Sequence, residues 1–83
     1  MDAYIKYFAT ELYISGRISQ QFPRALPRFE AMVHRMRKNM GPIEIASYFN
    51  VLNTYIENIS IPGGSKRLQT EAIVYFVDKI AVQ

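Results

Sequence analysis

From Pro42 to Ile59 the chain carries one apolar stripe on a helical period, and this stretch limits the fold more than any other. A helix turns about 100° per residue. On that wheel Ile45, Tyr48, Phe49, Leu52, Tyr55, Ile56 and Ile59 fall within an arc of about 120°. Ser47, Asn50, Asn53, Thr54, Glu57 and Asn58 occupy the other side, Ala46 is neutral, and Ile43 and Val51 fall off the stripe. Pro42 suits the first helical position, where its missing N–H is not needed, and Glu44 suits the positive end of the helix dipole. A helix with one apolar face needs neighbours to cover it, so the rest of the chain must supply them.

Three further segments can do so. Residues 2–15 read as a helix with two stripes. Met1, Ile5, Phe8 and Leu12 form one, while Ala3, Tyr7, Thr10 and Ile14 lie nearly opposite. Two apolar faces indicate a central helix or a contact surface used twice. Gly16 is placed to end this helix as a left-handed cap. Residues 17–27 read as a connection with a helical turn, because Pro23 and Pro27 each remove a donor and restrict the residue before them. Pro27 then opens a helix to about Met40, with Phe29, Val33, Met36 and Met40 in a row and Met32 beside them. Gly41 stops it. Residues 60–65, Ser-Ile-Pro-Gly-Gly-Ser, form a turn, and Ser65 is an N-cap for a last helix over 66–81. That helix is apolar almost all round. Leu68, Ala72 and Tyr75 lie on one side and Ile73, Phe76, Val77 and Ile80 on another, as in a central core helix. The run 72–77 has strong β-propensity, but no second strand exists to pair with it. The expectation is a single all-α domain over residues 1–83, a small bundle of about four helices.

Composition adds a constraint. One core in 83 residues yields only a few kcal/mol, and with no cysteine there is no disulfide to help. A 49% hydrophobic content in so small a chain points to a homodimer or a protein partner. The Met1–Arg17 stretch has no basic region followed by an apolar run, so it is not a secretory signal, and no segment is apolar for long enough to span a bilayer. The expected location is the cytoplasm, with no membrane association.

Charge is uneven. Within residues 17–38, Arg17, Arg24, Arg28, Arg35, Arg37 and Lys38 face Glu30 alone, a local balance of +5 in a chain of net +3. Such a block can be a footprint for phosphate or for an acidic protein surface. Residues 43–59 also carry a second pattern. Ala46 is small, Asn50 follows four positions on and tolerates positive φ, Val51 is aliphatic, and Ile56 and Ile59 follow at apolar spacings. This resembles the helix-turn-helix signature of bacterial and phage DNA-binding regulators, although Leu52 stands where a small polar cap is usual. The resemblance implies a turn at Asn50 and base-reading roles for Asn53, Thr54 and Asn58. It gives phosphate contacts to Arg24, Arg28, Arg35, Arg37 and Lys38. Lys66 and Arg67, beside Gly63 and Gly64, form a corner suited to a phosphate or carboxylate. The single-helix reading needs no special turn and is preferred.

No catalytic chemistry is visible. His34 lies among arginines without a partner to activate, and the seven acids are dispersed. No nucleotide, hydrolase or metalloprotease motif occurs. The sequence therefore implies a non-enzymatic helical regulator or adaptor, with no cofactor, metal or small-molecule substrate. It would bind a protein through an apolar, Tyr-rich surface around Tyr4, Tyr7 and Ile14. The alternative is a nucleic-acid-binding regulator using the basic and α-helical residues named above.

Overall fold

Prolines set two of the three main breaks in the chain. The computed structural model describes the backbone of residues 2–82 and the side chains of residue 5 and residues 7–79. The side chains of Met1, Ala3, Tyr4 and Ile80 lie outside the described residues. Four helices follow one another: α1 (Asp2–Gln21), α2 (Leu26–Asn39), α3 (Pro42–Ile59) and α4 (Lys66–Val82), with a 3-10 turn at Pro23–Ala25. No strand occurs among the described residues, and 72–77 is helical.

α1 departs from the sequence reading at its end. It runs through Gly16 to Gln21 instead of stopping at residue 15. Gly16 takes ordinary negative φ, since Gly63 is the positive-φ residue among those described. A mid-helix glycine costs about 1 kcal/mol relative to alanine. Tertiary burial outweighs that cost: Ile14 and Ile18 on α1, and Phe22 just beyond it, are completely buried, each worth about 1.5–3 kcal/mol. Pro23 ends the helix instead. It holds Phe22 at φ −138°, ψ 59°, outside the helical region, while Phe22 N–H still donates to Ile18 O at 2.8 Å.

The stripe that faces the core is also the opposite of the cleaner one in the sequence. Tyr7 and Ile14 are buried, whereas Ile5, Phe8 and Leu12 are exposed. Tyr7 and Ile14 are therefore core residues, not the docking surface expected of them.

α2 buries Phe29, Met32, Val33 and Met36, as its spacing requires. It ends before Met40 and Gly41, both extended, with Pro42 opening α3. α3 is one unbroken helix over Pro42–Ile59, and no non-glycine residue among those described has positive φ, Asn50 included. The turn implied by the helix-turn-helix resemblance is not formed. The two contested aliphatics show why. Leu52 is fully buried and Val51 is 55% exposed, the arrangement that only a continuous helix gives.

The α3–α4 loop depends on two glycines. Gly63 has φ +82°, which side chains rarely adopt. A Cβ on Gly64 would lie 2.6 Å from Gln69 Nε2. That close approach lets Gln69 donate from Nε2 to Ile61 O at 3.3 Å, tying the loop to α4. Ser65 Oγ accepts the Leu68 N–H at 3.3 Å, the cap read from the sequence. α4 is less central than its composition suggested. It packs along Gln69, Ile73 and Val77, leaving Leu68 and Tyr75 exposed.

α1 packs chiefly on α3, and α2 on α4. Tyr7 stacks on Phe49 while Arg17 reaches Asn53 and Glu57, so α1 and α3 run parallel. Among the described residues the backbones of α1 and α4 make no close approach.

Two substitutions test these assignments by thermal unfolding. Gly16→Ala should stabilise by roughly 0.5–1 kcal/mol, because a Cβ there meets nothing within 4 Å and alanine is the better helix former. A loss of stability would restore the left-handed cap. Asn50→Gly should destabilise by a few tenths to about 1 kcal/mol for the same reason in reverse, and a gain would mean that α3 breaks at Asn50.

Candidate binding surfaces

Two regions of the surface combine chemistry with shape. The first is the outer face of α1. Ile5, Phe8 and Leu12 recur at helical spacing and are 66%, 51% and 72% exposed. Phe8 packs its ring against Tyr7, 4.8 Å between centroids, so it stands on a buried base. It also lines a cleft of about 300 Å³ whose walls are Tyr7, Arg37, Met40, Gly41, Pro42 and Ile45. The apolar stripe thus runs into an apolar-walled recess.

Beneath that face lies a polar clasp between α1 and α2. Arg37 Nε donates to Tyr7 Oη at 2.6 Å, and Arg37 Nη2 donates to both Glu11 carboxylate oxygens at 2.7 and 3.0 Å. Burial pushes the Tyr7 hydroxyl pKa above its ordinary value, the Arg37 hydrogen bond pulls it down, and Glu11 adds to the rise. The bond to Tyr7 in turn holds Arg37 more firmly protonated, and Glu11 acts in the same direction.

The second region is a cleft between the 3-10 turn and the start of α4. It has a volume of about 450 Å³ and is lined by Gln21, Pro23, Arg24, Lys66, Arg67, Thr70 and Glu71. Pro23 and Pro27 force the chain to turn here, which carries Arg24 to the N-terminus of α4. The Gly63–Gly64 turn brings Lys66 and Arg67 to the same place. Sequence separation hid this meeting. The composition of residues 17–38 marked Arg24, and the glycine-rich corner marked Lys66 and Arg67, but nothing linked the two.

The other basic candidates are dispersed. Arg28 pairs with Asp78 at 3.4 Å, Arg17 with Glu57 at 3.4 Å, and Arg37 with Glu11. Arg35 and Lys38 are exposed near the far end of α2, about 15–20 Å along the helix from Arg24 at 1.5 Å per residue. The block of charge therefore does not form one footprint. Asn53 accepts a hydrogen bond from Arg17 Nη1 at 3.0 Å, while Thr54 and Asn58 are exposed on α3. Thr54 and Asn58 thus face outward from a continuous helix, while Asn53 is turned toward α1.

Among the described residues no group of His, Cys, Asp or Glu could hold a metal ion, and no helix is long and apolar enough to cross a membrane. Comparison with protein-family models, with curated proteins and with solved structures gives no match.

The clasp has a testable pH dependence. A raised folded-state pKa on Tyr7 means that its contribution is complete below the ordinary value of 10.0 and is lost as pH rises through the folded value. The stability of the wild type relative to Tyr7→Phe should therefore decline above about pH 10. Denaturant unfolding of both proteins from neutral to alkaline pH measures this, and a constant difference would show that Tyr7 ionises normally.

Proposed function

We propose that this chain is a non-enzymatic helical binding module that docks on another protein through the outer face of α1. The observation that carries the reading is the exposed stripe Ile5, Phe8 and Leu12, beside the recess lined by Phe8, Met40, Pro42 and Ile45. The fold does not need these side chains outside its core. Phe22, Phe29, Phe49, Leu52 and Ile56 are the fully buried side chains that build the interior, with Ile14, Ile18, Met32, Ile73 and Val77. Apolar side chains held open on one rigid face, next to a recess that could take a partner's side chain, are the usual makings of a helix-packing interface. A second copy of the chain would present the same stripe and meets this requirement without any further component.

This moves the interface by one helix face from that expected around Tyr7 and Ile14. The dispersal of the basic block, and the continuity of α3 through Asn50, both weigh against reading the chain as a sequence-specific DNA regulator.

The double variant Phe8→Glu/Leu12→Glu tests the reading. Both positions are exposed, so its thermal transition should stay close to that of the wild type, within about 1 kcal/mol. In sedimentation and cross-linking, the variant should lose the self-association or the cross-linked protein that the wild type shows. Tyr7→Glu should instead unfold the domain, because it buries a charge. The reading fails if the double variant keeps every association of the wild type. It also fails if the chain binds random duplex DNA with an affinity that falls steeply with salt.

A further inference from the structure

The cleft at the start of α4 gathers positive charge that the protein itself leaves largely uncompensated. Arg24 comes from the 3-10 turn, and Lys66 and Arg67 from the first turn of α4. Arg24 and Lys66 form no ion pair among the described residues. Arg67 meets Glu71 at 3.5 Å, with both side chains mostly in solvent, an arrangement worth little. Elsewhere Arg17, Arg28 and Arg37 each meet a carboxylate. The Lys66 ammonium is also held in place. It lies 4.7 Å from the centre of the Phe22 ring, and Phe22 is completely buried. The Thr70 hydroxyl donates to Lys66 O at 2.7 Å and so helps shape the wall.

We propose that this cleft binds a single phosphate group, carried by a small phosphorylated molecule and held by Arg24, Lys66 and Arg67. Cationic side chains from two segments around one volume suit an oxyanion of charge near −2 with three outward oxygens better than they suit a lone carboxylate. The same geometry argues for a small ligand over a nucleic-acid strand. The three cations line one cleft instead of a track, Glu71 lines it with them, and Arg35 and Lys38 are too far along α2 to take a neighbouring phosphate.

Amide NMR titration of the full chain tests this with inorganic phosphate and pyrophosphate, against sodium chloride at matched ionic strength. The expected result is saturable shifts at residues 21–24 and 65–71 with either phosphate species and not with chloride. Arg24→Gln/Lys66→Gln should weaken that binding by about ten-fold or more. Both side chains are exposed, so the melting curve should hardly change and will show that the variant is folded. The Phe8→Glu/Leu12→Glu protein should bind phosphate as the wild type does, which separates this site from the α1 face. Equal shifts with chloride would overturn the proposal, as would an unchanged titration of the Arg24/Lys66 variant. Tighter, steeply salt-dependent binding of random duplex DNA at the same residues would also overturn it and assign the cleft to a polyanion.

Discussion

Phe49 lies between Tyr7 of α1, stacked at 5.7 Å, and Phe29 of α2, tilted at 5.9 Å. It has no exposed surface. One ring on α3 therefore joins three helices, and the rest of the packing follows from that contact. It sets α1 and α3 side by side and parallel, and it turns Tyr7, Ile14 and Ile18 inward. Along α3, Ile45, Leu52 and Ile56 continue the same line of burial. A domain this small has one layer of core, so each central side chain touches most of the elements that exist.

The choice of inward face on α1 fixes what remains outside. With Tyr7 inward, Ile5, Phe8 and Leu12 are left exposed, Phe8 resting on the Tyr7 ring. The open stripe is thus a consequence of satisfying the core with the other side of an apolar helix. The polar clasp of Tyr7, Arg37 and Glu11 closes the inner side and leaves no buried side-chain donor or acceptor without a partner among the described residues. Much of the basic block is consumed in the same way, by cross-helix ion pairs whose main effect is to set orientation. Of what stays unpaired in the block, Arg24 reaches the α4 corner, where two chain turns meet, while Arg35 and Lys38 stay near the far end of α2.

The candidate sites were unequally legible. Lys66 and Arg67 were readable as an anion corner because a Pro-Gly-Gly turn and a serine cap are local signals. Arg24 was visible as a charge, but its place beside them depends on the path from Phe22 to Leu26 and on the packing of α4 against α2. The α1 face was readable as two stripes, and the side expected to dock, with Tyr7 and Ile14, faces the core. Both stripes are apolar at good spacing, and nothing local distinguishes the one that Phe49 will receive.

The sequence by itself determined the helices and most of their ends. Apolar spacing, Pro42, the Pro62–Gly64 turn and Ser65 act within a few residues, and the arc from Ile45 to Ile59 favoured a helix running through Asn50 over a turn there. Tertiary structure decided the rest. It carried α1 through Gly16, turned Tyr7 and Ile14 inward, exposed Leu68 and Tyr75 on a helix apolar all round, and brought Arg24 to Lys66. The reason is one of scale. A helix propensity is worth about 1 kcal/mol per residue at most outside proline, whereas burying Ile18 or Phe22 is worth about two or three times as much. Which side chains are buried depends on where distant segments lie.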